Sequence, residues 1–479
     1  MNPQMRYFSP LAWYNGERID PGYDYDSETS QYDSLRERVA NKICGYNFHT
    51  RPILDGILCS RTLLESSTNL TDEDGRYKIK TFKKDHWNIL SYARTQGLNI
   101  TSFADPGTFS FANKFKLPDY LYDTEPLINY YNDLQYDMAG SVDWPIIEKI
   151  RVQTAPGTFE YQELTEETKE MRAKLTVELA GEFMKATSKR DIDFIPFGTI
   201  QGYSVKSYTE SLRAVLKYGY KYIAIGGLPS YSEKQVVELL PELAKEIRRA
   251  GYRPGIHLYG RFPSPRYVAH YLENYVTSFD NNSPFLAASR TACNYYHPEF
   301  VSNDEQVPVY DCFSIRIPAE RGPLLHRLKR KDIKLWAKGM DKSDKAFQAF
   351  VAVRKKPTDK NIDLFLEAYD DMNEFLQEAR MNKVNKNRLK KDHGTAEAAL
   401  RSRLWETCPC ESCKMIGAHV MLVRGQRIPH TFLHNTYVQY ARFSKELKKA
   451  MKNVNYPAYD WSEIDDLNAF KNINRKEVK

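Results

Sequence analysis

Short hydrophobic runs alternate with longer amphipathic segments between about residues 50 and 300 of the chain. The runs are rich in β-branched and aromatic residues, a pattern typical of buried strands. The predicted strands cover residues 56–60, 99–103, 136–142, 194–200, 222–225 and 255–259, and a further strand ends near Phe279. Repeated strand–helix units predict a parallel sheet, and seven or more units in series favour a closed barrel over an open sheet.

The clearest helix of this series lies between the strands at 222–225 and 255–259. Its apolar positions recur at helical spacing with charged residues between them, and they are Val236, Val237, Leu240, Leu243, Ala244 and Ile247. Gly251 is predicted to end this helix, because glycine is typical of the position just after a helix.

Residues 290 to 400 have a different pattern, with long helical segments and clustered basic residues. We therefore predict an α/β protein with a TIM (β/α)8 barrel, an inserted helical basic region and a further subdomain after it. The predicted regions are an N-terminal extension at 1–50, the barrel at 51–300, the inserted region at 301–400, a cysteine-containing subdomain with the final barrel helix at 401–455, and a loosely ordered C-terminal tail at 456–479.

Charge changes this picture through its distribution. The net charge is only +7, but basic residues concentrate in two runs, at 327–331 and 380–391. Such runs can neutralise phosphates and release counterions, and the 33 tyrosines offer stacking surfaces, so the pattern favours a nucleic-acid partner. The alternative interpretation is a solvated helix face, which is the commoner origin of a charge run.

Composition also excludes some classes of protein. No run of 18 or more apolar residues is present, which argues against a transmembrane helix, and the N-terminus lacks an apolar signal segment. Seven cysteines occur in 479 residues, and those that look like metal ligands fit a reducing compartment better than a disulfide framework, so we expect a cytoplasmic protein without a membrane partner.

Three of the seven cysteines fall within six positions, as Cys408-Pro-Cys410-Glu-Ser-Cys413. Three thiols and one downstream histidine can supply the four ligands of a structural, tetrahedral Zn²⁺. Such a closed site leaves no open coordination position, which argues against a zinc-dependent hydrolase. From the residues alone, the candidate fourth ligands are His419, His430 and His434.

Polar residues and glycines follow the predicted strands where each strand ends. These are Asp105-Pro-Gly107, Asp143-Trp-Pro145, Gln201-Gly202, Gly226-Gly227, Gly260 and Asp280. Because active residues of a (β/α)8 barrel lie at the carboxyl ends of its strands, we expect three acids, an amide and two glycine turns to converge on one face.

Together with their order along the chain, these pieces resemble a known family, the queuine and archaeosine tRNA-guanine transglycosylases. The resemblance rests on Phe103-Ala-Asp105-Pro-Gly107-Thr-Phe109, Asp137-Met-Ala-Gly-Ser-Val-Asp143, Ile200-Gln201-Gly202, Ala224-Ile-Gly226-Gly227-Leu228, Leu258-Tyr259-Gly260, Phe279-Asp280, the cysteine cluster and His434-Asn435. It implies a TIM barrel with an inserted zinc subdomain, and it selects His434 as the fourth ligand.

Three departures point to a particular branch of that family, and the first is Pro106 in place of the serine that follows the first aspartate. The Pro-Thr-Arg that follows the nucleophile in the tRNA enzymes is absent, and the stretch from Asp280 to Cys408 is longer and basic. These features look more like the divergent DpdA-type branch, which exchanges guanine in DNA for 7-cyano-7-deazaguanine, a 7-deazaguanine base. That likeness implies DNA as a partner, with accessory proteins of a modification system as further candidates.

The resemblance implies a double displacement through an aspartyl ester. Asp280 would be the nucleophile, and Asp105 would be the general acid/base that handles the proton of the departing and incoming bases. Asp311 is the competing nucleophile, because Tyr310-Asp311-Cys312 locally resembles the family motif. Asp280 is preferred because its distances from Gly227 and Tyr259 suit the family.

The resemblance also implies a purine-binding set. Asp143 would accept hydrogen bonds from the Watson–Crick edge, Gln201 would donate to O6, and Gly227 would contact the substituent side of the base. Phe109 and Tyr259 would sandwich the ring. Taken singly, the aspartates also fit turn or N-cap positions, the glycines a tight turn, and the aromatic residues core packing.

Two other functions compete with the DNA enzyme. One is a tRNA-guanine transglycosylase, in which the basic insertion would read tRNA. The other is a non-catalytic nucleic-acid-binding subunit of the same fold. Loss of the acidic pair would favour that function, but both Asp105 and Asp280 are present.

Overall fold

A computed structural model gives the architecture of the 479-residue chain. The structure describes residues 5–10, 18–32, 43–61, 100–114, 116–155, 158–289, 295–296, 312–313, 315–319, 323–381, 385–454 and 458–476. Two compact units are present, and each is described by itself. The barrel unit comprises Met1–Trp13, Leu54–Asn282 and Phe443–Lys479, and the helical unit comprises Tyr14–Ile53 and Ser283–Arg442.

The barrel unit contains a closed barrel of eight parallel strands, which confirms the predicted fold class. The strands are β1 (Arg6–Pro10), β2 (Gly56–Ser60), β3 (Thr101–Asp105), β4 (Met138–Gly140), β5 (Ile195–Ile200), β6 (Tyr222–Ile225), β7 (Gly255–Leu258) and β8 (Val276–Asp280). Each pairs with its neighbours in chain order, and β1 closes the barrel because it pairs with both β2 and β8. Closure leaves the barrel strands without a free edge.

Helices follow most of the strands. In the barrel unit they are α1 (Thr124–Asp133), α2 (Glu166–Thr187), α3 (Val205–Leu216), α4 (Glu233–Ala250) and α5 (Val268–Glu273), with 3₁₀ turns at Thr108–Phe111, Asp119–Leu121, Leu228–Ser230 and Pro265–Tyr267. A hairpin of Lys149–Ala155 and Thr158–Glu163 lies between β4 and α2. The predicted helix at 236–247 is α4, whose Ser232 caps the N-terminus and whose Gly251 ends it at a φ of 75°.

The predicted regions and the observed units differ at both ends of the chain. Strand β1 lies within the predicted extension 1–50, yet it is part of the barrel. The predicted tail 456–479 contains α14 (Ser462–Lys476), and Trp461 before it is buried among barrel residues. The Arg6 guanidinium links β1 to the C-terminal segment, because it pairs with Asp465 and stacks on Trp461. A charged residue therefore interrupts the apolar pattern of β1, and the pattern did not predict this strand.

The helical unit is built from helices and short two-stranded pairs. Its helices are α6 (Ser283–Ser289), α7 (Pro323–Lys331), α8 (Ile333–Lys355), α9 (Asp359–Met381), α10 (Lys386–Ser402), α11 (Leu404–Thr407) and α12 (Glu411–Ile416), with 3₁₀ turns at Gly45–Phe48, Gly417–Met421 and Gly425–Arg427. The strand pairs are Arg18–Ile19 with Ile43–Cys44, Tyr23–Asp24 with Thr29–Ser30, Tyr295–Tyr296 with Cys312–Phe313, and Ile315–Arg316 with Leu422–Val423. Helix α13 (Ile428–Asn453) runs from this unit into the barrel unit.

The core of the helical unit lies between α7, α8, α9 and α10. Leu325, Phe350, Phe365 and Leu400 represent these four helices in one buried apolar cluster. Within the described ranges, no helix is both long enough and apolar enough to cross a bilayer.

Candidate active site and metal centre

Residues from six strand ends meet at the carboxyl face of the barrel. Asp105 is the last residue of β3 and Asp280 the last residue of β8, while Gln201 directly follows β5. Asp143, Gly226-Gly227 and Tyr259 follow β4, β6 and β7. The opposite, amino-terminal face is closed by α14, whose Lys471 donates to the carbonyl oxygen of Tyr136 just before β4. The barrel therefore presents the predicted polar set on one face only.

Asp280 is a buried carboxylate with two polar contacts on the same oxygen. The backbone N–H of Gly260 donates to Oδ1 over 2.8 Å, and Nε2 of His257 lies 3.2 Å from that atom. The residue is only 6% exposed. Both contacts are made by β7 and the turn after it, so the neighbouring strand fixes the orientation of this carboxylate.

Asp105 is partly buried, and its Oδ1 accepts a hydrogen bond of 2.6 Å from the backbone N–H of Gly107. Burial raises the pKa of Asp105 to about 8, because it disfavours the charged carboxylate. The Gly107 hydrogen bond opposes this shift, whereas the nearby Asp143 and Asp280 carboxylates add to it. Asp105 is therefore mostly a neutral carboxylic acid at pH 7, a state that can donate a proton.

Asp143 and Gln201 form a buried pair. Gln201 Nε2 donates to Asp143 Oδ2 over 2.5 Å, and the hydroxyl of Thr108 donates to Oδ1 over 2.5 Å. Gln201 Oε1 in turn accepts from the N–H of Ile146 over 3.3 Å. Burial raises the pKa of Asp143, and these hydrogen bonds oppose the shift. Each carboxylate oxygen keeps a second lone pair, so the pair can still bind the polar edge of a ligand.

Two consecutive glycines allow this pair to fit against β6. A Cβ at Gly226 would lie 2.0 Å from Gln201 Nε2, which is closer than side-chain contacts allow. Gly227 adopts a φ of 77°, in the left-handed region that favours glycine, and a Cβ there would lie 2.7 Å from the Tyr208 hydroxyl. The dipeptide is thus required for packing around Gln201.

The two predicted stacking residues have different environments. Phe109 lies in the 3₁₀ turn after β3 and is 66% exposed. Tyr259 is partly buried, with its ring edge-on to Phe103 and His257 at centroid distances of 6.0 and 5.1 Å. Its buried hydroxyl has no hydrogen-bond partner among the described residues. An exposed Phe109 leaves room for a ligand, and the Tyr259 hydroxyl can still accept or donate one bond.

His257, Ser278 and Thr108 are polar residues of the site that the sequence motifs did not single out. Ser278 precedes Asp280 by two positions in β8, and residues at that spacing line the same face of a strand. His257 has the same spacing from Tyr259. That period of two was the signal in the sequence that could have placed both side chains in the barrel interior.

Cys408, Cys410, Cys413 and His434 come together as predicted, and their ligand atoms all lie within 4.8 Å of one another. His434 Nδ1 lies 3.6, 3.4 and 3.4 Å from the three sulfurs. Tetrahedral bonds of about 2.3 Å to sulfur and about 2.0 Å to nitrogen place such ligand atoms about 3.5 Å apart. All four residues are buried, so the cluster can hold a metal ion in a closed site.

Hydrogen bonds around the cluster decide between the three candidate histidines. His434 Nε2 lies 3.0 Å from the backbone oxygen of Tyr296, which orients the ring with Nδ1 towards the cysteines. His419 instead contacts Asp26 and Arg427, and Nε2 of His430 lies 2.8 Å from the Tyr25 hydroxyl. His434 is therefore the fourth member of the cluster. Asp311, the alternative nucleophile, lies outside the described residues.

Exposed basic side chains concentrate where α7 meets α8. Arg327, Lys329, Arg330, Lys331 and Lys334 are all exposed, and within the described ranges none forms an ion pair. Asp332, the acid among them, accepts hydrogen bonds from the N–H groups of residues 334 and 335 as the N-cap of α8. The second basic run lies partly outside the described residues, and its described parts end α9 and begin α10.

Comparison with known proteins supports the family resemblance. No family model matches the chain. The chain is 26% identical over 452 residues to a protein named DNA-guanine transglycosylase from Salmonella montevideo, an alignment that covers 93% of this chain and 98% of the relative. Similarity over nearly the whole length of both proteins confirms the resemblance to guanine transglycosylases that the motifs indicate.

Proposed function

We propose that this protein is a DNA-guanine transglycosylase that replaces guanine in DNA with 7-cyano-7-deazaguanine. The observation that carries the proposal is the convergence of Asp105, Asp143 and Asp280 with Gln201 at the carboxyl face of the barrel. The full-length similarity to a protein of that name supports the same conclusion.

The first displacement uses Asp280 as the nucleophile. One of its carboxylate oxygens attacks C1′ of the target nucleotide, so a C1′–O ester bond forms while the C1′–N9 bond to guanine breaks. Asp105, neutral at pH 7 because of its raised pKa, donates a proton to the departing guanine. Guanine therefore leaves as the neutral base, and Asp105 becomes a carboxylate.

The second displacement restores the enzyme. The Asp105 carboxylate takes the N9 proton of the incoming base, and N9 then attacks C1′ as the ester bond to Asp280 breaks. Two inversions at C1′ retain the configuration of the nucleotide. Because the proton that Asp105 gives up in the first step is recovered in the second, the cycle balances without a redox cofactor.

Asp143 and Gln201 would bind the Watson–Crick edge of the base. The free lone pairs of Asp143 suit the N1–H and 2-amino donors of guanine, and the second hydrogen of the Gln201 amide suits O6. Both 7-cyano-7-deazaguanine and guanine have these groups, so one site can hold the departing and the incoming base. Gly227 would face the substituent at position 7, with Phe109 and Tyr259 on the faces of the ring.

The target nucleotide must leave the DNA stack to reach a barrel interior, which costs a few kcal/mol. The exposed basic residues where α7 meets α8 would offset this cost by binding phosphates. The closed Cys₃His cluster would hold a structural Zn²⁺, which would stabilise the fold around it. Reduced thiols at that cluster fit a cytoplasmic location.

Base exchange into defined acceptors tests the proposal. Purified protein would be incubated with radiolabelled guanine and, separately, duplex DNA, single-stranded DNA and bulk tRNA, beside an Asp280→Ala variant. We expect label to enter DNA with the wild-type protein and not with the variant. Label that enters only tRNA would identify a tRNA enzyme, and label in no acceptor would favour a binding subunit.

A further inference from the structure

His257 lies inside the barrel, fully buried, between Asp280 and a chain of hydroxyl groups. Its Nε2 is 3.2 Å from Asp280 Oδ1, and its Nδ1 is 2.6 Å from Ser278 Oγ. Ser278 Oγ also contacts the hydroxyl of Tyr222. All four side chains are buried, so the contacts are shielded from water.

The Asp280 carboxylate, at one end of this series of side chains, determines the direction of every hydrogen bond in the series. A carboxylate can only accept, so Nε2 of His257 carries the hydrogen that points to Asp280. Burial lowers the pKa of His257, which keeps the ring neutral, and Nδ1 is then an acceptor for the Ser278 hydroxyl. Ser278 in turn accepts from Tyr222, so the donors run from Tyr222 through Ser278 and His257 to Asp280.

We propose that His257 is a positioning residue that selects which oxygen of Asp280 attacks C1′; this inference rests on the proposed function. Both donors to the carboxylate, His257 Nε2 and the N–H of Gly260, reach Oδ1. Among the described residues, no hydrogen bond to Oδ2 is present. Oδ2 is therefore the free nucleophilic atom, while Oδ1 is held in place.

The same hydrogen bonds act on the second displacement. Once the ester has formed through Oδ2, Oδ1 is its carbonyl oxygen, and the two donors polarise it. When the incoming base displaces the ester, negative charge returns to the carboxylate, and donors already aimed at it stabilise the leaving group. Loss of His257 should therefore slow the breakdown of the intermediate as well as its formation.

Packing alone is the competing explanation for a buried histidine. The imidazole stacks on Phe103 at a centroid distance of 4.4 Å and lies edge-on to Phe8. Two substitutions separate packing from hydrogen bonding. His257→Phe keeps an aromatic ring and removes both nitrogens, whereas His257→Gln sacrifices the ring and places an amide N–H near the position of Nε2.

Steady-state exchange with DNA would be measured for the wild type, both variants and Ser278→Ala, with thermal melting of each protein. We expect His257→Phe to lower kcat by about 10- to 100-fold, the effect of removing a hydrogen bond to a charged group, with KM for DNA changed less than about twofold. His257→Gln should recover most of kcat although it melts lower than His257→Phe. Ser278→Ala removes the hydroxyl that fixes the tautomer of His257, and its kcat should lie between those of the two His257 variants.

The covalent protein–DNA fraction after denaturing quench gives a second readout. After the incoming base is added, we expect the covalent fraction of His257→Phe to decay more slowly than that of the wild type, because breakdown is slowed. Equal kcat losses in the Phe and Gln variants, or activity that follows melting temperature, would overturn the inference. If Asp280→Ala is inactive while His257→Phe retains full kcat, the inference about His257 fails and the proposed function stands. If Asp280→Ala remains active, the proposed nucleophile itself is wrong.

Discussion

Replacing Asp105 with asparagine should stabilise the protein while it abolishes base exchange. The neutral amide has the size of the carboxylic acid, and its oxygen can still accept the 2.6 Å hydrogen bond from the N–H of Gly107. It cannot transfer the proton that the departing guanine needs. The same substitution also removes a carboxyl group that is costly to ionise in the folded barrel.

The size of the effect follows from the pKa difference between folded and unfolded chains. The pKa of Asp105 is raised to about 8 in the fold, whereas an unfolded aspartate has a pKa of about 3.9. Linkage then gives an upper limit of about 4 kcal/mol for the stability that the wild type has lost at pH 7. Because the side chain is partly exposed and water screens part of this cost, we expect about 1–3 kcal/mol.

The sign of the pH dependence is fixed by the direction of the shift. A group whose folded pKa is raised contributes stability below its unfolded pKa and loses it as the pH rises to its folded pKa. The wild type should therefore lose stability relative to Asp105→Asn between about pH 4 and about pH 8, with a constant difference above that range.

Chemical denaturation at pH 4, 6 and 8 measures this difference, and exchange of labelled guanine measures activity. Asp191→Asn, which removes an exposed carboxylate before β5, controls for the change in net charge. Two results would refute the reasoning about burial. One is a stability difference that does not change with pH, and the other is a wild type whose stability increases relative to that of the variant as the pH rises. Retained exchange by Asp105→Asn would refute its role as acid and base.

Three further perturbations test other parts of the account. Cys410→Ser should abolish bound zinc, measured by elemental analysis, and lower the melting temperature, because a structural metal contributes folding free energy. Gly226→Ala should lower kcat/KM at least tenfold, since the added methyl group would displace Gln201; exchange kinetics measure this. Arg330→Ala with Lys331→Ala should weaken DNA binding and reduce the slope of log K against log salt by about 2, as expected for two lost phosphate contacts.

Each of these perturbations has a matched control. Cys59→Ser removes a buried thiol outside the metal cluster and should leave the zinc content unchanged. Gly394→Ala adds a methyl group where no atom lies within 4 Å, so activity should persist. Lys185→Ala with Lys189→Ala removes two exposed charges from the barrel unit and should leave the salt slope unchanged. If a control variant changed the measured quantity as much as its test variant does, that result would contradict the corresponding claim.

Strong local patterns made much of the fold predictable. Helix α4 combines an apolar stripe with a capping serine and a glycine stop, so both its existence and its end followed from the sequence. Strand β1 did not, because Arg6 is stabilised by Asp465 and Trp461, residues more than 450 positions away. Contacts of such long range leave no local signal.

The site was likewise predictable only in part. Residues at strand ends could be predicted because the barrel places them all on one face. The hydrogen bond from Gln201 to Asp143 and the contact between His257 and Asp280 could not, since each depends on the relative rotation of two strands. The residues alone could not separate His434 from the two other candidate histidines; the family resemblance selected it, and the structure shows partners for the other two.

Identification of the covalent intermediate would show whether Asp280 is the nucleophile. The protein would be mixed with guanine-containing duplex DNA in the absence of an incoming base, quenched with denaturant, digested, and the modified peptide sequenced by mass spectrometry. We expect a deoxyribose ester on Asp280, absent from the Asp280→Ala variant. An ester on Asp311, or exchange that proceeds without any protein-bound DNA, would contradict this expectation.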